Sequence, residues 1–171
     1  LQNVRILSPL KASLLKLVTF VPASHAEAVR QALFNAGAGC IGNYDSCSFN
    51  VSGEGSFRAK EGANPFCGEI GDLHTEPEVR IETVLPVSMK SAVIKSLMSV
   101  HPYEEPAYDL YPLANNWTQA GSGVVGELPE SEDEQSFLLR IKNIFHLKSL
   151  THSPFTGKNI REVAICGGSG A

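Results

Sequence analysis

Residues 14–37, LLKLVTFVPASHAEAVRQALFNAG, decide how the rest of the chain is read. From 15 to 21 the residues alternate and are rich in apolar and β-branched side chains, as a pleated strand buried on at least one face requires. After Pro22, Ser24 with Glu27 three residues on has the form of a capping box. Ala26, Val29, Leu33 and Ala36 then recur at helical spacing until Gly37 supplies a stop.

Working outward, a period of two returns from residue 43, with Cys47, Phe49 and Val51 on an inward face and Ser46, Ser48 and Asn50 on the other. Residues 53–78 carry Gly53, Gly55, Gly62, Gly68 and Gly71 with Pro65 and Pro77, which predicts a long shaped loop. Such a loop belongs to a function or an assembly surface, because its backbone polar groups need partners. Val79, Ile81, Thr83 and Leu85 make a third strand, closed by Pro86. A second helix is capped by Ser88, with Met89, Val93, Leu97 and Val100 on its apolar face, and stops at the His101–Pro102 step. Residues 107–113 form a fourth strand. The order βαββαβ over 14–113 predicts an α+β, ferredoxin-like unit with both helices on one face of an antiparallel sheet. Its other face is solvated or paired.

Beyond it, NNWTQAGSG (115–123) reads as a connector. A second capping box, Ser131 to Glu134, opens a helix with Phe137, Ile141 and Phe145 on one side, and residues 160–165 read as a buried strand running into CGGSGA (166–171). GGSG lacks the lysine of a P-loop and the spacing of a dinucleotide fingerprint, so it reads as a strand-to-helix turn. The acidic ESEDE run (130–134) suits the first turn of its helix.

Composition excludes several classes. Of 171 residues, 43% are hydrophobic and 19% charged, enough apolar surface to offset the entropy of folding. A net charge of −4, a pI near 5.7 and no block of Lys or Arg argue against nucleic acid and membrane surfaces as partners. Apolar runs fall short of the roughly 20 residues that span a bilayer. The opening LQNVRILSPLKAS has neither a signal-peptide core nor an initiating Met, which predicts a fragment. Cys40, Cys47, Cys67 and Cys166 form no CxxC pair, so a reduced, cytoplasmic setting is expected.

The densest chemical cluster is HPYEEPAYDLYPL (101–113), which gathers His101, Tyr103, Glu104, Glu105, Tyr108, Asp109 and Tyr111. An imidazole beside two carboxylates suits a divalent metal or proton exchange, with Pro102 and Pro106 holding the backbone extended. The bland reading is a histidine at a helix C-terminus and two solvated glutamates. Cys67 and His74, with Cys40 and Cys47 upstream, form a weaker set of soft ligands at irregular spacing, and a cysteine is more often a small buried apolar residue. No serine or cysteine stands in a nucleophile elbow, so no catalytic residue is assigned.

In this order, GNYDSCSFNVSGEGSFRAKEGANPFCGEIG (42–71), HPYEEPAYDLYPL, VVGELPE (124–130) and VAICGGSGA (163–171) resemble the NIF-three-like dinuclear-metal-centre family, whose members go by the name GTP cyclohydrolase 1 type 2 homologue. The resemblance implies that 14–113 is an insert domain of PII/CutA-like fold, a kind that assembles as trimers. Residues 1–13 and 114–171 are then the edge of one half and the incomplete start of the other half of a partial α/β, metal-binding lobe. It implies divalent metal ions (zinc, manganese or iron) in the parent family, held by a His-His pair and an Asp in the first half and a His and a Glu late in the second. Those motifs are absent here, since residues 1–13 hold no His and the chain ends before the second set.

The expected function is therefore an insert or assembly region, with a regulatory role open to it, that mediates oligomerisation as a trimer or hexamer-of-trimers type assembly. A small-molecule ligand is the other expected partner. The chain is not expected to be an enzyme on its own. The alternative is a metal-dependent hydrolase acting on a nucleotide or related small molecule. A third reading is a ligand or metal sensor using His101, Glu104 and Glu105.

Overall fold

A computed structural model describes residues 1–10, 13–115, 117 and 120–168. The chain divides into two compact units, Lys11–Asn116 and Leu1–Leu10 with Trp117–Ala171.

In the first of these, β2 (Leu14–Pro22), β3 (Ser48–Arg58), β4 (Leu73–Pro86) and β5 (Tyr108–Leu113) form an antiparallel sheet in the order β3-β4-β2-β5. Helix α1 (Ala26–Asn35) follows β2, and α2 (Lys90–Val100) follows β4 through a 3₁₀ turn at Val87–Met89. Leu15, Leu17 and Val21 of β2 and Ile81 and Leu85 of β4 alternate onto one face. There they form the core with Val29 and Leu33 of α1 and Val93 and Leu97 of α2. Fully burying each such side chain contributes about 1.5–3 kcal/mol. The two buried threonines of the sheet are satisfied: Thr19 Oγ1 donates to the Ala107 carbonyl at 2.9 Å and Thr83 Oγ1 to the Cys47 carbonyl at 2.8 Å. Helix α2 stops at Val100, and His101 is already extended, as a residue before proline must be.

Several local expectations are corrected. Neither Ser24 nor Ser88 caps a helix. His25 and Met89 hold the N-cap positions without side-chain bonds, and the Ser24 hydroxyl lies 2.9 Å from His25 Nδ1 instead. The glycine-rich stretch 53–78 is not one long loop, because β3 continues to Arg58 and β4 begins at Leu73, in register from Ser48↔Thr83 to Arg58↔Leu73. Glycine is tolerated because β3 is an edge strand. Pro77 is tolerated because β2 ends opposite Glu78, so the ladder there is one-sided. Phe49 and Val51 do not point inward. They pair with Glu82 and Arg80 on the face away from the helices and are 67% and 44% exposed, while Cys47 is half-buried just before the strand.

The second unit is a three-stranded antiparallel sheet, β1 (Gln2–Pro9), β6 (Gly121–Glu132) and β7 (Ile160–Ile165), with β6 central. Val125 and Leu128 of β6 are buried. Asp133, rather than Ser131, caps α3 (Glu134–Ile144), accepting the amides of Gln135 and Ser136. That helix carries no buried residue, and Phe145, expected on its apolar side, is exposed. Strand β7 is an exposed edge rather than a buried strand, since among the described residues it pairs with β6 alone. The strands of this unit are antiparallel, where the resemblance implies part of an α/β lobe; Ser169 and Gly170 of the glycine turn lie outside the described residues. So do Asn116, Thr118 and Gln119 of the expected connector. Among the described residues, no helix is long and apolar enough to cross a membrane.

Candidate functional site

Beyond the end of β2 the β3–β4 hairpin continues alone, and alternation sets Gly53, Gly55 and Phe57 of β3 beside Glu78, Glu76 and His74 of β4 on the face away from the helices. The segment between the strands, residues 59–72, supplies Ala59, Ala63, Pro65 and Phe66. The segment after α2 supplies Tyr103, Glu104 and Glu105. These pieces enclose a cavity of about 510 Å³, within the range of small-molecule sites. Its apolar wall includes Phe20, Phe57, Phe66 and Tyr103, its carboxylates are Glu54, Glu78, Glu104 and Glu105, and among the described residues no Lys or Arg lines it. Such a lining suits a neutral or cationic small molecule and disfavours a polyphosphate.

Tyr103 organises the cavity. Its ring lies 5.7 Å edge-on from Phe57, 6.2 Å from Phe66 and 5.1 Å from His101. Its hydroxyl donates to Glu78 Oε1 at 2.7 Å. Burial first, and then this bond to a carboxylate, push the phenol far above its ordinary pKa, so it stays protonated and keeps donating to Glu78. Glu78 reaches that hydroxyl by lying over Gly55, where any Cβ would run into its carboxylate.

The expected site residues separate into two groups. His101 is buried, and both ring nitrogens are used: Nδ1 accepts the Tyr103 amide at 3.1 Å, so Nε2 carries the proton and donates to the Phe20 carbonyl at 2.9 Å. Burial, the largest influence, lowers its pKa and keeps it neutral. It pins the segment after α2 to β2. The Glu104 carboxylate accepts the Asn64 amide at 2.9 Å and so ties that segment to residues 59–72, while Glu105 lines the cavity. Cys67 and His74 are brought together, with Glu76 as a third member that sequence reasoning missed. One ligand atom of each lies within 4.8 Å of the others, the one such trio among the described residues. His74 Nε2 is 3.0 Å from Glu76 Oε2 and its ring 5.4 Å from Phe57. Burial, then the Glu76 charge, push the Cys67 thiol up. Cys40 is exposed, Cys47 Sγ lies 3.5 Å from the Asp45 carbonyl, and neither joins the trio.

Fold and site together define an α+β protein of two antiparallel sheets, one of which carries a ligand-sized cavity beside a cysteine, histidine and carboxylate trio. The chain belongs to the Duf34/NIF3 (NGG1p interacting factor 3) family, whose model matches residues 2–171. It is 44% identical over 171 residues to the GTP cyclohydrolase 1 type 2 homolog of Halalkalibacterium halodurans, covering 99% of this chain and 46% of that protein. Against the protein of the same name from Bacillus subtilis it is 40% identical, with the same two coverages. The crystal structure of a Bacillus cereus protein related to NIF3 matches with a TM-score of 0.78 at 42% identity, over 99% of this chain and 45% of that one. The chain thus spans about half the length of the curated relatives it matches.

Proposed function

We propose that residues 14–113 form a ferredoxin-like, PII/CutA-like insert whose role in the longer protein is assembly with further copies of itself, and that residues 1–13 and 114–171 belong to the flanking halves. The observation that carries this reading is the sheet face away from α1 and α2. Phe49, Val51 and Tyr111, 67%, 44% and 49% exposed, stand there around a charged centre. At that centre Glu82 accepts from Lys16 Nζ at 2.9 Å and Arg80 Nε at 2.8 Å, and Arg80 lies over the Phe20 ring. Lys16 first, then Arg80, hold the Glu82 carboxyl below its ordinary range. A face with apolar groups and both signs of charge is self-complementary, and association buries it without stranding a single-sign field. Threefold assembly is the form the resemblance implies. The test is Phe49→Asp with Val51→Asp in the longer protein, followed by light scattering: assembly is expected to fall apart into smaller species. Unchanged mass with intact folding contradicts the proposal.

The name shared by the relatives favours a second reading for the longer protein, a metal-dependent hydrolase acting on a nucleotide or related molecule. The family's metal ligands, as the resemblance gives them, are not among these residues, so turnover of GTP by this chain alone would reverse the ranking.

A further inference from the structure

We propose that Cys67, His74 and Glu76 form a zinc-type metal site on the β3–β4 hairpin, separate from the ligand set that the resemblance implies for the flanking halves. Three observations carry it. First, the ligand atoms already lie within 4.8 Å of one another. A tetrahedral ion with bonds of about 2.0–2.3 Å spaces its ligands roughly 3.3–3.8 Å apart, so small side-chain rotations close the set.

Second, the backbone builds the approach. His74 and Glu76 are i and i+2 on β4 and share one face. Cys67 is brought over them by Gly68, which sits at φ +78°, where a Cβ would stand 2.9 Å from His74 Cβ. Only glycine joins that left-handed turn to so close a contact. Third, the surroundings match those of a bound cation. Phe57 stands against His74, and Glu78, held by the Tyr103 hydroxyl, adds a further carboxylate close by.

The ligand types choose the ion. One thiolate, one imidazole and one carboxylate suit zinc better than magnesium or calcium, which take oxygen sets. Thiolate and carboxylate together neutralise the divalent charge. Binding forms metal–sulfur, metal–nitrogen and metal–oxygen bonds and releases the Cys67 thiol proton to solvent, with no change of oxidation state. Three protein ligands leave a fourth position for water.

The test is titration of the purified protein with cobalt(II), a coloured stand-in for zinc, followed by zinc competition. The expected result is a thiolate-to-cobalt charge-transfer band in the near ultraviolet, saturating stoichiometrically and erased by zinc. Cys67→Ser abolishes the band, and Cys166→Ser leaves it. His74→Ala and Glu76→Gln each weaken binding by more than the roughly 10–100-fold that loss of a supporting residue costs. Circular dichroism checks that each variant is folded, and should Cys67→Ser fail, Glu76→Gln, which changes little volume, still decides. No thiolate band, a band that survives Cys67→Ser, or one indifferent to both His74→Ala and Glu76→Gln overturns the proposal. Because a histidine, aspartate and glutamate set gives no thiolate band, metal elsewhere in a longer chain does not confuse the reading.

Discussion

Replacing His101 by alanine tests how the cavity is held together. The imidazole is 7% exposed and links the Phe20 carbonyl to the Tyr103 amide. Removing it leaves a half-buried acceptor and a half-buried donor without that partner. Each such group costs about 1–3 kcal/mol when water cannot replace the bond, so His101→Ala should lower stability by about 2–4 kcal/mol. The loss should depend on pH. Burial holds the folded-state pKa below the unfolded value of about 6.5, against smaller opposing effects from the Phe20 carbonyl and Glu78 and a reinforcing one from His25. The unfolded chain therefore binds the proton more readily, and the wild type loses stability as pH falls from that value toward the folded one. Protonation also destroys the Nδ1 acceptor that holds Tyr103. The variant lacks this proton, so the gap between the two proteins should be widest above neutrality and shrink on acidification. Urea unfolding of both proteins between about pH 8 and about pH 5 measures it. A loss under about 1 kcal/mol, or a gap constant with pH, would refute the reasoning.

Other perturbations probe other parts. Gly55→Ala places a methyl group against the Glu78 carboxylate and should break its bond to Tyr103; the cost is about 1 kcal/mol, and Tyr103→Phe added to it should cost less than it does alone, as a double-mutant cycle would show. Leu33→Ala empties the fully buried position between α1 and the sheet and should cost about 2–5 kcal/mol by chemical denaturation. Asp133→Ala should fray α3, seen as faster hydrogen exchange at its first amides, whereas Asp133→Asn should keep most of the cap. Bonds from Ser136 and Gln135 lower the Asp133 pKa, so the charged cap's contribution is present at neutral pH and fades as pH falls through that lowered value.

The core was legible because alternation in 15–21 and 79–85 and helical spacing at Val29, Leu33, Val93 and Leu97 report burial directly. The site was only half legible. Gly53, Gly55 and Pro77 were read as breakers, which hid the period of two that sets His74, Glu76 and Glu78 on one face. Continuing the Val79 strand backwards by alternation would have found Glu76. Both glycines lie within an edge strand rather than at an end of pairing, and Gly55 marks a close approach, because Glu78 lies across it. Helix caps were misplaced where a serine near the start bonded elsewhere, as Ser24 does to His25. His101 was singled out for its chemistry, but its two backbone partners, one of them 81 residues away, are tertiary facts that no local pattern carries. The outward turn of Phe49 and Val51 likewise follows from pairing with Glu82 and Arg80, a register invisible in one strand.

The central claim, that the exposed face of the β3-β4-β2-β5 sheet is an assembly surface, is tested most directly by sedimentation equilibrium of the chain over a wide concentration range. The expected result is a mass of several chains, three in the form the resemblance implies, that dissociates on Phe49→Asp. A single-chain mass at every concentration would contradict it.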